Sequence, residues 1–383
     1  MIQNASRKTA KSYLQSVLNS WPVPMRRLFF PVLLVWIIFL GMMLPRGFAA
    51  VLGQMVFGAG RGWDGSWVRN PDVMYNGSFM MWYDGSNLTS ATPNIGLATS
   101  SDGISWTRYS HNPVFKGSRG ELWDSWDVEY PWVIYENGVY KMWYSGQPFA
   151  GTGFADEQIG YATSPDGINW TRYSGNPVLG PSRGLWDGLS VYDPRVVHSG
   201  STYLMYYEGT SSSNDYGIGL ATSKDGIHWT KNEQPSIPLG GWDSSGHRMG
   251  SVENLNGTFV AVYSGSGNGT AFGSIGIASS QDGISWKPFT GNPIITSRGG
   301  SFPCTIWDCL GVFSPMMVAV GNSYYVYFTA LSDNSQNYVV TNIGLAILPM
   351  TSVPVPEFPF TQLMLVTSMG ILVLCFRVKR NHA

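Results

Sequence analysis

The chain has 383 residues and a net charge of −1, with only 12% charged residues, 14% aromatic residues, 46 glycines and 23 prolines. This composition is typical of many short strands joined by turns and argues against a helical or a disordered protein. The central part of the chain has no basic block, so we expect no nucleic-acid partner, because phosphates require a basic surface.

The first 50 residues combine a polar, mildly basic tail with a hydrophobic segment. Arg26-Arg27 precede an uncharged apolar run from Leu28 to Leu44, and Ala49-Ala50 follow it. The run is close to the minimum length for a membrane span, and small residues after it are typical of a signal-peptide cleavage site. We expect residues 1–50 to be a cytoplasmic tail plus a signal peptide or membrane anchor.

The centre of the chain repeats the segment Ile-Gly-x-Ala-x-Ser-x-Asp-Gly-Ile-x-Trp. Its four copies end at tryptophans that lie 64, 59 and 57 residues apart: Trp106, Trp170, Trp229 and Trp286. A period of this size is typical of an array or a propeller, and Asp-Gly predicts a tight turn between two strands. We interpret the four aspartates as turn formers that bond backbone amides, not as catalytic carboxylates: Asp102, Asp166, Asp225 and Asp282.

The other half of each unit opens with Trp-Asp and continues into a proline-containing strand and an aromatic strand. One such Trp-Asp opens each of the five units, at Trp63, Trp123, Trp186, Trp242 and Trp307. Four strands in each of five units predict an all-β fold, a five-bladed β-propeller with four-stranded blades, over residues 51–350. The fifth unit lacks the Asp-Gly turn, so we expect Val51–Phe57 to supply its outer strand and close the ring.

Residues 351–383 form a linker, a hydrophobic segment and a basic tail. Phe358 to Phe376 is uncharged, and Arg377, Lys379 and Arg380 follow it. This pattern predicts a transmembrane helix with its basic end in the cytoplasm. With a hydrophobic helix at each end, the propeller would be anchored to the membrane on the cell surface. In an oxidising compartment Cys304 and Cys309 could pair.

At equivalent axial positions the five units carry different residue types. Positions that serve only the scaffold should instead carry similar residues in every unit. Arg69, Glu129, Tyr192, Arg248 and Phe313 stand six residues after the Trp-Asp tryptophans, and Asn70, Tyr130, Asp193, Met249 and Ser314 stand seven after. In a propeller the innermost strands line the axis, and ligands bind in the funnel at one face. Variation inside a regular repeat therefore predicts the functional site.

The residue types at these positions indicate glycoside chemistry, which needs two carboxylates beside the scissile bond. We predict Glu129 and Asp193 as the catalytic pair, with Asp127 as a third carboxylate that raises the pKa of a neighbour. The predicted substrate-binding residues are polar groups for sugar hydroxyls, phosphate or a carboxylate, and aromatic rings for stacking: Arg69, Asn70, Trp67, Tyr192, Arg195, His247 and Arg248. We also predict Asp84 and Glu208 as substrate-binding residues at the rim, with the alternative that they only form turns. Alternatively, the charged groups satisfy one another around a water-filled channel.

The strand pair from Tyr192-Asp193-Pro194-Arg195 into Tyr203–Tyr207, followed by the repeat, resembles the five-bladed propeller glycosidases. That superfamily includes arabinanases, invertases, levansucrases and the mannoside phosphorylase-like enzymes. The resemblance covers roughly Val51–Met350. Val355–Pro359 also resembles the archaeal PEF-type C-terminal sorting signals, which implies that the tail is cut and replaced by an anchor.

The resemblance implies two different proton donors. Asp193-Pro194-Arg195 is similar to the Asp-Pro-Arg motif of the mannoside phosphorylase-like branch, which makes Asp193 the acid. Val128–Pro131 is similar to the general-acid motif of the arabinanase-like branch, which makes Glu129 the acid. That branch also has an aspartate in blade one, where this chain has Asn70. A phosphorylase would not need that aspartate as a base, because phosphate itself is the nucleophile. It would then need the arginines to bind phosphate.

Two functions remain open from the sequence. The first is a cell-surface, membrane-anchored enzyme that cleaves or phosphorolyses glycosidic bonds of a poly- or oligosaccharide. The second is a non-catalytic propeller that binds surface carbohydrate, favoured by Asn70 and by the plain fourth and fifth blades. In both cases we expect a carbohydrate partner, contact with the membrane through the terminal segments and a monomer. We expect no cofactor and no metal site, since the sequence has no Cys or His spacing for metal ligands.

Overall fold

The computed structural model describes residues 52–350 except for short gaps: 88–91, 119–121, 149–155, 212–215, 233, 235–236, 239–240, 256, 268–272, 300–303, 305 and 334–338. The hydrophobic helices predicted within 1–50 and 351–383 lie outside these residues. Within the described part of the chain, no helix is long and apolar enough to span a membrane.

Twenty-one strands form five antiparallel sheets, which are the five predicted blades. Blades one and two each contain four strands: β2 (Trp67–Tyr75), β3 (Phe79–Ser86), β4 (Asn94–Ser100) and β5 (Thr107–Arg108), then β6 (Asp127–Glu136), β7 (Val139–Gln147), β8 (Gln158–Ser164) and β9 (Thr171–Arg172). Blade three contains β10 (Ser190–Ser199), β11 (Thr202–Thr210), β12 (Tyr216–Ser223) and β13 (Thr230–Lys231).

Blades four and five depart slightly from this pattern. Blade four contains β14 (Gly246–Leu255), β15 (Thr258–Ser266), β16 (Ser274–Ser280) and β17 (Lys287–Pro288), and a short fifth strand, β18 (Ile295–Thr296), pairs with β16. Blade five contains β19 (Gly311–Val320), β20 (Ser323–Asp333), β21 (Val339–Pro349) and β1 (Gln54–Phe57). The first strands of consecutive blades contact one another in a closed circle: β2, β6, β10, β14 and β19.

The ring is closed by β1, as the sequence predicts. This strand pairs antiparallel with β21, and Met55 lies opposite Gly344. Phe57 is buried, and its ring meets the ring of Tyr83 in blade one edge-on at 4.8 Å. The N-terminal strand therefore completes blade five while its last side chain packs into blade one.

The Trp-Asp motif packs each blade internally. A Cβ atom on Gly96 would lie 2.5 Å from the ring of Trp63, so the glycine of Ile-Gly-x-Ala leaves room for the indole. The Asp64 carboxylate accepts hydrogen bonds from Tyr83 Oη at 3.0 Å and Arg108 Nε at 2.7 Å. The same residues in blade two make the same contacts, so this repeated motif serves the scaffold.

The Asp-Gly turns are structural, as predicted. Asp102 Oδ1 accepts the backbone amides of Ile104 at 2.8 Å and Ser105 at 2.7 Å, and these bonds hold the pKa of Asp102 below its usual range. The glycine carbonyl of each turn also accepts a bond from an aromatic side chain of the preceding blade. These bonds are Trp82 to Gly167, Trp143 to Gly226, Tyr206 to Gly283 and Tyr327 to Gly103.

Candidate active site

The first strand of every blade has a register shift at the position that the sequence singles out. The shift follows Arg69, Glu129, Tyr192, Met249 and Phe313. In four blades the next residue adopts a positive φ: 50° at Asn70, 52° at Tyr130, 53° at Asp193 and 47° at Ser314. Positive φ is uncommon outside glycine and concentrates at functional sites. A β-bulge changes the direction of the side chains next to it. Here these side chains belong to the five first strands that contact one another in a circle.

The four bulges are each held by the preceding blade. The backbone amide of the left-handed residue donates to a side chain of the neighbouring second strand: Asn70 to Thr329 Oγ1 at 2.9 Å, Tyr130 to Asp84 Oδ1 at 3.0 Å, Asp193 to Ser145 Oγ at 2.9 Å and Ser314 to Ser264 Oγ at 3.1 Å. These bonds provide rigid support for the strained residues. They also join adjacent blades to one another at the candidate site.

Glu129 is a buried carboxylate paired with a cation. Its Oε2 accepts a hydrogen bond from the Arg69 guanidinium, and only 3% of Glu129 is exposed. Arg69 comes from blade one and Glu129 from blade two, so the pair crosses the blade interface. Although burial lowers the pKa of Arg69, the charges of Glu129, Tyr130 and Asp84 raise it above its usual range. Glu129 is therefore a candidate carboxylate whose positive partner comes from the neighbouring blade.

Asp127 precedes Glu129 by two residues on β6, so the two side chains lie on the same face of the strand. It is 5% exposed and has no cation partner among the described residues. Burial, and then the negative charge of Glu129, raises the pKa of Asp127 to about 8. Asp127 is thus a neutral carboxyl at neutral pH.

Asp193 on β10 is buried beside its own arginine. Arg195 Nη2 lies 2.6 Å from Asp193 Oδ1, and both residues are 4% exposed. Burial raises the pKa of Asp193 to about 7, against the opposing effect of Arg195 and with a further increase from Glu208 and Glu129. The influence of Glu129 on Asp193 places the two predicted catalytic carboxyls in one electrostatic environment.

Two tyrosines connect the carboxyls of blades two and three. The rings of Tyr130 and Tyr192 have centroids 5.8 Å apart. Burial raises the pKa of Tyr130, and Glu129 and Asp193 both contribute to this shift. The aromatic pair therefore lies beside both carboxyls, and the predicted site residue Tyr192 is part of this cluster.

The predicted substrate-binding arginines all have carboxylate partners. Arg248 Nε lies 3.5 Å from Glu208 Oε2. Arg195 is almost fully buried between Asp193 and the ring of Trp132, whose centroid is 5.4 Å from its guanidinium carbon. A direct contact between Arg195 and substrate stays a prediction, and the observed partners of its side chain are Asp193 and Trp132.

Trp67 and His247 flank this cluster. The Arg69 guanidinium carbon lies 4.3 Å from the centroid of the Trp67 ring, so one face of the indole is covered by protein. Burial lowers the pKa of His247, and its imidazole is therefore neutral at neutral pH. Neither side chain adds a free positive charge.

The predicted rim or turn position of Asp84 and Glu208 is wrong. Asp84 is fully buried, and its carboxylate accepts hydrogen bonds from Asn70 Nδ2 at 2.6 Å and from the Tyr130 amide. Glu208 is 4% exposed and faces Arg248. Both side chains point inward because they occupy the second-strand positions opposite Arg69 and Tyr192 in the register. Asn70 and Asp84 thus support the site from within the protein.

Glu157 is a site residue that the sequence analysis missed. It is 3% exposed, and its surroundings include Glu129, Asp127, Arg69 and Asp193. It precedes the third strand of blade two, outside the Trp-Asp alignment used to compare the blades. A comparison anchored on Ile-Gly-x-Ala would have found it, because no other blade has an acidic residue at that position.

Comparisons with known proteins agree with this architecture. The sequence profile of glycoside hydrolase family 130, described as beta-1,4-mannooligosaccharide phosphorylase, matches residues 150–240, which include Asp193 and Arg195. The 1,2-beta-oligomannan phosphorylase of a Thermoanaerobacter species is 27% identical over 254 residues, covering 64% of this chain and 77% of that protein.

A solved β-1,2-mannobiose phosphorylase from Listeria innocua has the same fold, with a TM-score of 0.59 at 13% identity over 77% of this chain and 95% of that one. The uncharacterized protein Rv1502 of Mycobacterium tuberculosis is 33% identical over 219 residues, which is 55% of this chain and 69% of that protein. The chain therefore belongs to the family of this mycobacterial protein, within the five-bladed β-propeller superfamily that contains the mannoside phosphorylases of glycoside hydrolase family 130.

Proposed function

We propose that the protein is a glycosidase that cleaves β-mannosidic bonds of an oligomannan. One observation carries the proposal: Glu129 and Asp193 are buried carboxyls on adjacent blades, at the bulged position of the first strand, and the charge of one shifts the pKa of the other. Glycoside cleavage needs such a pair, with one ionised member and one protonated member. The oligomannan substrate is inferred from the names of the phosphorylase relatives.

The surroundings of the two carboxyls assign their roles. Glu129 is paired with the Arg69 guanidinium across the blade interface, so we assign it as the nucleophile or base. Asp193, with a pKa of about 7, retains its proton up to neutral pH and is the general acid, as its Asp-Pro-Arg motif implies. Asp127 is the neutral carboxyl next to Glu129, and it limits the negative charge on β6.

The pairing of the arginines favours water over phosphate as the attacking group. Among the described residues the cluster holds six buried carboxyls, Asp84, Asp127, Glu129, Glu157, Asp193 and Glu208. It holds three arginines, Arg69, Arg195 and Arg248, and each of them is paired with one of these carboxyls. A phosphate anion would need guanidinium groups that are not already engaged by carboxyls. Phosphorolysis remains the second candidate, because the matching family profile is described as a phosphorylase.

We also propose that the propeller works outside the cell, anchored by the hydrophobic segments near its ends. Cys304 and Cys309 form a disulfide bond, and such bonds persist in oxidising compartments. Thiol titration of protein isolated from native membranes tests this location. Protected cysteines at these two positions support it, and free thiols in freshly isolated protein would contradict it.

Turnover of β-linked mannobioses and mannooligosaccharides by the full-length protein tests the proposed activity. We expect Glu129→Gln to lose activity by at least about 100-fold, because the substitution removes the charge needed in the reaction. Glu136→Gln is the matched control, since Glu136 lies at the other end of the same strand and pairs with Lys141. Binding of mannooligosaccharide without turnover, unchanged in Glu129→Gln, would instead identify a carbohydrate-binding propeller.

A further inference from the structure

Glu157 occupies a position that carries no charge in the other blades. The register places it immediately before the third strand, where the equivalent residues are Pro93, Tyr216, Gly273 and Thr341. A scaffold role would be expected to repeat from blade to blade. The single carboxyl at this position therefore indicates a role that is specific to blade two.

The backbone of Glu157 is fixed between blades two and three. Its amide donates to Ser190 Oγ at 3.2 Å, and its carbonyl accepts the amide of Val191 at 3.0 Å. Ser190 and Val191 begin β10, the strand that carries Asp193. The side chain is thus built into the interface between the two blades that provide the catalytic pair.

The carboxyl of Glu157 has an oxygen whose hydrogen-bonding capacity is not used by the described residues. Its Oε1 is buried and has no hydrogen-bond partner among the described residues. The charged and titratable groups that face it come from three blades: Asp127, Glu129 and Tyr130 on β6, Asp193 and Tyr192 on β10, and Arg69 on β2. The only cation among them, Arg69, is already paired with Glu129.

This environment opposes a negative charge on Glu157. An unpaired buried carboxylate is costly, and burial followed by the charges of Glu129 and Asp127 raises the pKa of Glu157 well above its usual range, despite the opposing effect of Arg69. A protonated carboxyl differs from the carboxylates around it, because it donates a hydrogen bond as well as accepting one. Sugar hydroxyl and ring oxygens are acceptors that suit such a donor.

We propose that Glu157 is a substrate-binding residue whose buried carboxyl donates a hydrogen bond to an oxygen of the sugar. The proposal rests on the glycosidase function proposed above, and it adds a neutral carboxyl as a specificity-determining group. It also requires the site to lose affinity in alkaline solution, when Glu157 ionises.

The Glu157→Gln variant tests the proton without any substrate. A carboxyl with a raised pKa in the folded state makes the protein less stable as pH rises from the ordinary carboxyl pKa towards the raised value. We therefore expect the Tm of Glu157→Gln, relative to wild type, to increase progressively as pH rises above the ordinary carboxyl pKa of about 4.3. Glu136→Gln should show no such increase, because the pKa of Glu136 is lowered by its partners after the opposing effect of burial. A difference in Tm between Glu157→Gln and wild type that does not change with pH would contradict a proton on Glu157.

Kinetics on mannobiose test the contact with the sugar. Glutamine also donates a hydrogen bond, so Glu157→Gln should keep kcat/KM near the wild-type value at neutral pH and should lose less activity in alkaline solution. Glu157→Ala should raise KM by about tenfold, the worth of one hydrogen bond, with little change in kcat. Loss of kcat in Glu157→Gln would contradict substrate binding, and unchanged KM in Glu157→Ala would overturn it. If wild type turned over no sugar, the proposed glycosidase function would fail, while the stability measurement would still decide whether Glu157 holds a proton.

Discussion

Arg69 and Arg195 each contact one catalytic carboxyl, but the two pairs have different surroundings. Arg69 reaches Glu129 across a blade interface, whereas Arg195 follows Asp193 by two residues on one strand and is buried with it. In the second pair, desolvation outweighs the arginine and the pKa of Asp193 rises. An arginine therefore links two blades in one pair, and in the other pair it only moderates the raised pKa of a carboxyl on its own strand.

The pH dependence of activity should report Asp193. As the general acid it must carry a proton, so activity should fall as pH rises through about 7. Arg195→Met removes the charge that lowers the pKa of Asp193, and the alkaline limb should move upward by roughly one pH unit. The pH profile of kcat/KM measures this shift. Arg183→Met, at an exposed ion pair, is the control. An unmoved limb in a folded Arg195→Met protein would show that Asp193 is not the acid.

The sequence singles out the positions of the candidate residues Glu129 and Asp193 but does not predict their contacts. Asp193 and Glu129 stand out because they break a repeat, and that signal needs no structure. Sequence spacing does not indicate which carboxylate an arginine meets, so the burial of Arg195 and the inward direction of Asp84 appear only in the fold. Glu157 was missed because its position follows a loop of variable length between the second and third strands.

At the scale of the elements, each Asp-Gly hairpin is predictable because its turn chemistry is local. Its second function is not local: the glycine carbonyl accepts a bond from the blade before it. Blade four has Val262 at the donating position, and blade five lacks the Asp-Gly turn that would accept the bond. Blade four thus lacks the donor where blade five lacks the acceptor. This agreement indicates that the aromatic donor is a feature of the repeat that serves to join neighbouring blades.

Removing one of these bonds should weaken the fold. Tyr206 Oη donates to the Gly283 carbonyl at 2.8 Å, and Tyr206 is fully buried. We expect Tyr206→Phe to lower the free energy of unfolding by about 1–3 kcal/mol, because the carbonyl loses its partner in a buried position. Urea denaturation measures the change. Tyr135→Phe, at a residue that is 51% exposed, should have little effect. Equal stability of the two variants would contradict a role for the bond.

At the scale of the whole molecule, the ring depends on its N-terminal strand. Phe57 is 4% exposed and contacts Tyr83 and Arg108 of blade one, while Met55 on the same strand is 51% exposed. Phe57→Ala should lower the free energy of unfolding by about 3–5 kcal/mol, the usual effect of emptying a buried aromatic site. Met55→Ala is the control. Thermal unfolding distinguishes them, and a Phe57→Ala protein as stable as Met55→Ala would argue against closure by β1.

In the whole site each of the three arginines, Arg69, Arg195 and Arg248, is already paired with a carboxyl, and this pairing underlies the proposed choice of water as the attacking group. It arises from residues on four blades, so no single sequence motif predicts it. The phosphorylase relatives suggest the opposite outcome for a chain of the same fold. Whether water or phosphate attacks the sugar is therefore the question that tests the proposed mechanism most directly.

The most direct measurement is product analysis by NMR after the full-length protein has acted on a β-linked mannooligosaccharide in phosphate buffer. The proposed function predicts free mannose as the product, at a rate independent of phosphate and abolished in Glu129→Gln. Mannose 1-phosphate, formed at a rate that increases with phosphate concentration, would contradict hydrolysis and identify a phosphorylase.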